Sequence, residues 1–318
     1  MSFPRSDHCN GKTFFYPGGR AERGPSEVLR WKLTSRPTPW PQWVDYTLPS
    51  APPASFPGQI TATWIGHATF LLQTPHGNFL TDPVFSDRCS PFSWLGPHRV
   101  HAPGLAFEAL PKIDGVLLSH DHYDHFDLPS LRRLARTHDP VILAPLGHRQ
   151  LLANRGISRV IELDWWETHA WAPDLTVTLT PSKHWCRRLP GDTNHRLWGG
   201  FWLSGLGRNV YFLGDSGYDP NLFVEIGRKM GRPDLAFIPI GAYEPHWFMC
   251  SAHMNPAEAL QVHRDLGAHQ SVAMHWGTWQ LTDEGRDEPV RDLVQAQALA
   301  NVAPQAFRVL DPGQSLSV

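Results

Sequence analysis

His120-Asp121-His122-Tyr123-Asp124-His125 gathers three imidazoles and two carboxylates into six residues, directly after the apolar run Val116-Leu117-Leu118-Ser119. Such groups are seldom buried unless they are paired or bound to metal. A strand that ends here and turns into a loop could aim several of them into one cavity; a solvated polar loop is the plainer alternative. Neutral imidazole suits zinc, copper, iron or nickel, and carboxylate adds a harder ligand. One structural zinc needs only four ligands, which by this spacing would come as Cys/His pairs. Here there are too many imidazoles and no cysteine, which favours two metals with an open coordination position.

The same placement recurs along the chain. The alternating run 175–180 ends just before His184, the run 209–213 just before Asp215, and the run 271–274 just before His275. Alone, each of these would read as a satisfied core histidine or a turn aspartate; their shared position at strand ends argues otherwise. Further strands are predicted over 60–65, 69–73, 78–81, 141–144, 198–203, 235–240 and 307–310, with helices from Asp127, over 147–154, 220–230, 256–266 and 289–301. Strands alternating with helices in the second half, after a strand-rich first half, predict sheets covered by helices, with loops at one sheet edge meeting at one site.

Residues 1–58 are interrupted by Pro and Gly, and the stretch Arg36-Pro-Thr-Pro-Trp-Pro-Gln-Trp43, followed by Pro49, Pro52, Pro53 and Pro57, forbids regular helix there. The segment is predicted as an extended N-terminal arm ahead of a catalytic domain at 59–318. Trp31, Trp40 and Trp43 give it something to pack with: its own domain, a second subunit or a bilayer. Residues 84–101 form a long irregular loop carrying Phe85, Phe92, Trp94 and Leu95, either as core plugs, the plainer reading, or as an exposed apolar rim.

The chain has 318 residues, enough for a substantial core, and a net charge of −2 from 28 basic and 30 acidic residues. Its basic residues are scattered, so the footprint of a nucleic-acid binder is missing. Four cysteines, far apart and without a C-x-x-C pair, suit free thiols in a reducing, cytoplasmic setting. No apolar run reaches the ~20 residues that a membrane span requires. The composition is rich in Trp (14), Pro (30) and His (18), and the tryptophans fall in predicted loops.

The H-x-H-x-D-H run with later isolated His, Asp and His resembles the metallo-β-lactamase superfamily. That resemblance implies an α/β fold of four layers, an αββα sandwich in which two mixed β-sheets are covered by helices. Further segments carry it to a branch: Thr63-Trp-Ile-Gly-His-Ala-Thr69, Leu80-Thr-Asp-Pro83, Ser182-Lys-His-Trp-Cys186, Gly214-Asp-Ser-Gly-Tyr218, Ile238-Pro-Ile-Gly-Ala-Tyr-Glu-Pro245 and Met274-His-Trp-Gly-Thr278 are similar to the N-acyl-phosphatidylethanolamine-hydrolysing phospholipases D and their bacterial relatives.

What the resemblance implies is a zinc-dependent phosphodiesterase with two zinc ions per chain. His120, His122 and His184 would hold one, Asp124, His125 and His275 the other, and Asp215 would bridge them. Asp124, Asp215 and His253 are the expected catalytic residues, His253 as a phosphate contact or proton donor. The family carries an Asp two residues beyond that histidine where this chain has Asn255, which puts any role of that carboxylate in doubt. Asp82 and His67 are candidates to support a ligand, and Tyr243, Glu244 and Trp247 to line the path of the substrate, with turn capping or packing as the competing readings. The expected reaction splits an N-acylated phosphatidylethanolamine into an N-acylethanolamine and phosphatidate. The expected partner is a phospholipid membrane, with peripheral association through Phe92, Trp94 and Leu95; a homodimer is left open. The alternatives are a lactonase or soluble phosphodiesterase of the same fold, and a di-iron oxidoreductase, against which His122 argues because that chemistry usually has a carboxylate there.

Overall fold

The computed structural model describes residues 2–54, 58–205 and 207–318, so Pro57 of the Pro-rich stretch lies outside the described residues. The strands are β1 (Thr61–Gly66), β2 (Thr69–Thr74), β3 (Gly77–Thr81), β4 (Gly115–Leu117), β5 (Val141–Pro145), β6 (Val160–Leu163), β7 (Thr168–Ala172), β8 (Leu175–Thr180), β9 (Gly200–Gly205), β10 (Arg208–Phe212), β11 (Leu235–Pro239), β12 (Gln270–Met274), β13 (Phe307–Arg308) and β14 (Ser315–Ser317). They form two seven-stranded sheets, ordered β14-β1-β2-β3-β4-β5-β6 and β13-β12-β11-β10-β9-β8-β7. The helices are α1 (Pro25–Thr34), α2 (Leu128–Thr137), α3 (His148–Ala153), α4 (Pro220–Met230), α5 (His246–Met249), α6 (Pro256–Asp265) and α7 (Glu288–Leu299).

Side chains alternate across a strand, and here both faces are buried, which explains the nearly continuous apolar runs. Leu71, Leu80, Val116 and Ile142 pack outward against Leu131 and Leu134 of α2 and Leu152 of α3. Their neighbours Phe70, Leu72, Phe79, Leu117 and Leu143 belong to the main core, together with Val177, Leu179, Phe201 and Phe237 of the second sheet. Rings meet across the sandwich, Phe70 and Phe237 having centroids 4.3 Å apart. On the far side α6 packs on β11 and between α4 and α7. The four layers expected from the sequence are therefore present.

Strand direction decides where the loops go. In the first sheet β3 to β6 run parallel, and two antiparallel steps from β3 through β2 make β1 parallel to them as well. In the second, β10 to β13 are parallel, and β8 reaches the same direction through antiparallel β9. The C-terminal ends of β1, β3 and β4 therefore share one sheet edge, as do those of β8, β10 and β12 in the other sheet.

The arm departs from the expected extended chain. A ten-residue helix, α1, occupies Pro25–Thr34, with a proline in its first turn and the Glu27 carboxylate accepting the Gly24 amide at 2.9 Å. The arm also packs on its own domain: Cys9 and Phe14 join the main core, Trp31 stacks on Phe248 at 4.9 Å, and the Trp40 indole donates to the Glu284 carbonyl. A second correction concerns 84–101. Phe92, Trp94 and Leu95 are not core plugs; they stand 50%, 72% and 53% exposed.

Candidate metal centre

Each strand end at the shared edge delivers part of one polar cluster. The β1–β2 turn carries His67; the end of β3 carries Asp82; the loop after β4 carries His120 to His125. From the second sheet come His184 after β8, Asp215 after β10 and His275 after β12. His67, Asp82 and His275 have positive φ (54°, 31° and 62°), an uncommon conformation that the surrounding structure must hold. The two edges are tied here, the His275 amide donating to the His67 carbonyl at 3.0 Å. Gly214, with φ +66°, leads into Asp215; a Cβ there would lie 2.8 Å from the Ser119 side chain.

Two sets of donors emerge. His120, His122 and His184 offer ring nitrogens that all lie within 4.8 Å of one another, and so do donors of His67, Asp124, His125 and His275. Asp215 sits between the sets. Its Oδ2 is 3.2 Å from the Nε2 atoms of both His125 and His275, and 3.8 Å from those of His120 and His184. Asp124 Oδ2 is 3.0 Å from His67 Nε2, 3.3 Å from His275 Nε2 and 3.5 Å from His125 Nε2.

Without an ion the two donor sets differ: burial opposes charge on His125 and His275, but Asp215 and Asp124 outweigh it and hold both above the ordinary histidine value, His275 up to about 9, so a metal there would displace their protons. Burial, and then the neighbouring imidazoles, hold His120 well below the ordinary histidine value; burial, outweighing Asp215, does the same for His184. Both are thus neutral, the form that ligates metal. Burial opposes charge on Asp124 and Asp215 too, but His125 beside them reverses the direction and holds both well below the usual carboxylate range. His122 meets His120 Nε2 and His184 Nε2 through its Nδ1, at 3.0 and 3.2 Å, and the buried atoms His125 Nε2, His275 Nε2 and Asp215 Oδ1 have no hydrogen-bond partner. Burying several such atoms is costly, and a positive ion among them would satisfy the set.

The surrounding contacts fix the rings. Asp82, fully buried, accepts from His125 Nδ1 at 2.6 Å and from the Ser119 amide at 2.7 Å, and Ser119 Oγ in turn meets His120 Nδ1 at 2.9 Å. His184 Nδ1 donates to the Ala252 carbonyl at 2.9 Å. In each case Nδ1 is engaged and Nε2 is left facing the cluster, the arrangement that sets the tautomer of a metal-binding histidine. Ser119 and Ala252 were not singled out from the sequence; the position of Ser119 just before the motif was the available signal.

His253 stands at the rim, its Nδ1 3.9 Å from Asp215 Oδ2 and its ring 5.2 Å from that of His184. Burial pushes its pKa down to about 4, against the pull of Asp215. Asn255, two residues on, caps α6: its Oδ1 accepts the Glu258 amide and the Glu258 carboxylate accepts the Asn255 amide, both at 2.9 Å. Asn serves there as well as Asp, so the departure from the family pattern falls on a helix cap. A cavity of about 810 Å³ opens beside His253, between Trp185 and α1, with Val28, Trp31, Phe248 and Met249 on its walls. Trp185 meets His122 edge-on at 4.6 Å. Tyr243 and Glu244 do not line this cavity: Tyr243 is buried and donates to Asp292, and Glu244 accepts the His246 amide. Trp247 is also outside its walls, stacked under Arg30 at 4.4 Å. Phe92 borders a separate cavity with Tyr123 and Arg188.

Two sheets in an αββα sandwich, with clustered His and Asp donors at their common edge, define a metallo-hydrolase of the metallo-β-lactamase fold. Residues 77–276 match the family described as Beta-lactamase superfamily domain. The N-acyl-phosphatidylethanolamine-hydrolyzing phospholipase D 1 of Caenorhabditis elegans is 40% identical over 266 residues, covering 80% of this chain and 74% of that protein. The mitochondrial N-acyl-phosphatidylethanolamine-hydrolyzing phospholipase D of Saccharomyces cerevisiae is 36% identical over 236 residues, 73% of this chain and 50% of the yeast protein. The structure of Igni18, a metallo hydrolase from Ignicoccus hospitalis, superposes with a TM-score of 0.61 at 20% identity, covering 82% of this chain and 98% of that one. The chain belongs to the β-lactamase superfamily and, within it, to the branch that holds these two phospholipases.

Proposed function

We propose that this chain is a phosphodiesterase of the phospholipase D type, hydrolysing N-acylated phosphatidylethanolamine to phosphatidate and an N-acylethanolamine. The observation that carries the reading is Asp215 Oδ2 lying within 3.2–3.8 Å of four imidazole nitrogens drawn from both donor sets, in a chain 40% identical to a phospholipase named for that substrate. His120, His122 and His184 would hold one zinc, Asp124, His125 and His275 the second, and Asp215 would face both. Bound there, zinc supplies a Lewis acid for phosphate oxygens and a water acidic enough, with pKa ≈ 7, to attack at neutral pH.

The protein's own groups do the rest. Asp82 and Ser119 hold the rings of His125 and His120 so that no reorganisation is needed during reaction. His253, neutral near pH 7 when free, faces the Asp215 side of the site and is placed to hydrogen-bond the phosphate or pass a proton to the departing alkoxide. Apolar walls at Val28, Trp31, Phe248 and Met249 suit acyl chains, while Arg20, Arg23 and Lys32 on the same cavity suit a phosphate rim. No helix among the described residues is long and apolar enough to cross a membrane. Peripheral docking is part of the proposal, supported by the exposure of Phe92, Trp94 and Leu95.

The test is to incubate purified, zinc-loaded protein with N-acylated and with plain phosphatidylethanolamine, and to identify the products. Release of N-acylethanolamine and phosphatidate from the first, with little reaction of the second, is expected. Turnover of lactones or water-soluble diesters alone would replace this reading with one of the other hydrolases of the fold.

A further inference from the structure

Behind the ligand loops lies a second buried cluster that the reaction does not use. The loop that carries His120 and His122 to the centre also carries Asp121, and Cys186 lies two residues beyond His184. Asp121 and Cys186 meet His148, the first residue of α3. One donor atom from each of the three lies within 4.8 Å of the others, and all three residues are fully buried.

The hydrogen bonding leaves this cluster incomplete. His148 Nδ1 donates to the Pro145 carbonyl at 2.9 Å, which leaves Nε2 as a bare lone pair, and that atom has no partner. Arg196 donates to Asp121 Oδ2, while Asp121 Oδ1 has none. Two buried acceptors are thus left without partners in a cluster whose third member, Cys186, donates its thiol to the Leu197 carbonyl at 3.5 Å, a proton that an ion would replace. The backbone contact at His148 is the same device that prepares a histidine for metal, and the Arg196 contact fixes the carboxylate with its other oxygen free.

We propose that Asp121, His148 and Cys186 form a third, mononuclear cation site for a borderline metal such as zinc. Cys/His/carboxylate donors are within the zinc repertoire, and a tetrahedral ion with ordinary bond lengths would draw the three atoms to about 3.3–3.8 Å apart. A cavity of about 410 Å³ lies one residue away, lined by Gly147, which precedes His148, and by Arg196, which holds Asp121; the three donors are not on its wall. The role is positional. An ion here would clamp, from behind, the two loops that carry His120, His122 and His184, and tie both to α3.

The dinuclear centre contains no sulfur, and none of the other cysteines, Cys9, Cys89 and Cys250, belongs to a donor cluster among the described residues. Thiolate ligation is therefore a specific signature. The full-length chain is stripped of metal, reloaded with Co²⁺, and its near-ultraviolet spectrum and cobalt content are measured. A thiolate-to-cobalt charge-transfer band with three ions per chain is expected, and Cys186→Ser and His148→Gln should each lower the content by one, the first also abolishing the band. A wild-type chain that takes up two ions without the band overturns the proposal, as does a band that survives in Cys186→Ser. Should either variant fold poorly, the wild-type spectrum decides alone. Loss of this site with two ions retained leaves the proposed reaction untouched, so the two readings fail separately.

Discussion

Asp82→Asn is the sharpest probe of how the site is held. The Asp82 carboxylate makes no direct approach to the open face; it grips His125 Nδ1 at 2.6 Å and the Ser119 amide at 2.7 Å, and through Ser119 Oγ it orients His120. Asparagine keeps the size and tolerates the positive φ of 31° at this position, so the backbone is not strained further. It replaces one acceptor oxygen by an NH₂ group, which cannot accept the His125 proton. Either that donor loses its partner, at about 1–3 kcal/mol, or His125 shifts its proton to Nε2 and turns an N–H toward the cation. Loss of such a supporting contact typically costs about 10–100-fold in metal affinity or activity, equivalent to ~1.4–2.7 kcal/mol. Chelator competition, with zinc affinity measured for wild type and variant, reads this directly, and circular dichroism checks the fold. A variant within twofold of wild type in both affinity and kcat would refute the argument that Asp82 sets the ring of His125.

Three further outcomes are expected. Asp215→Asn should keep the fold but loosen at least one metal and remove most turnover, because a neutral amide cannot offset two cations; near-normal kcat would make Asp215 structural. Changing Phe92 and Trp94 together to Ser should weaken vesicle binding and slow hydrolysis of vesicle substrate, with a short-chain soluble diester cut as before and stability within about 0.5 kcal/mol, as for exposed positions; equal losses on both substrates would move the docking surface elsewhere. His8 joins the arm to the domain between Asp7 at 2.6 Å and Asp164 at 2.8 Å. Burial lowers its pKa, but the two carboxylates outweigh burial and leave it raised above 6.5. The stabilisation it gives is thus complete below about pH 6.5 and is lost as pH rises through the raised value. Limited proteolysis of residues 1–20 should quicken across that window, and in a His8→Asn variant the pH dependence should vanish.

The donors at strand ends were legible because a short apolar run, alternating or continuous, that stops just before a His or Asp identifies both the element and its edge. His120 to His125, His184, Asp215 and His275 are all of this kind. The sheet order was not legible, since nothing in 60–81 or 307–318 announces that β14 pairs with β1. The edge strand Thr168–Ala172 was missed for lack of clean burial, its residues being partly or wholly exposed. Helix α1 was hidden by the prolines around it, although Pro25 and Glu27 are themselves start signals. The arm's place beside His253, and the meeting of Asp121, His148 and Cys186, depend on contacts between residues far apart in the chain, which no local pattern encodes. The exposure of Phe92, Trp94 and Leu95 could not be read either, because an irregular apolar loop has the same composition whether buried or not.

Attack of water on phosphorus is the central claim, and the origin of the oxygen in the products tests it most directly. The zinc-loaded enzyme is run on N-acylated phosphatidylethanolamine in water enriched in heavy oxygen, and both products are weighed by mass spectrometry. One heavy oxygen in phosphatidate and none in the N-acylethanolamine is the predicted result. Label in the N-acylethanolamine, or release of diacylglycerol or free fatty acid in place of phosphatidate, would contradict it.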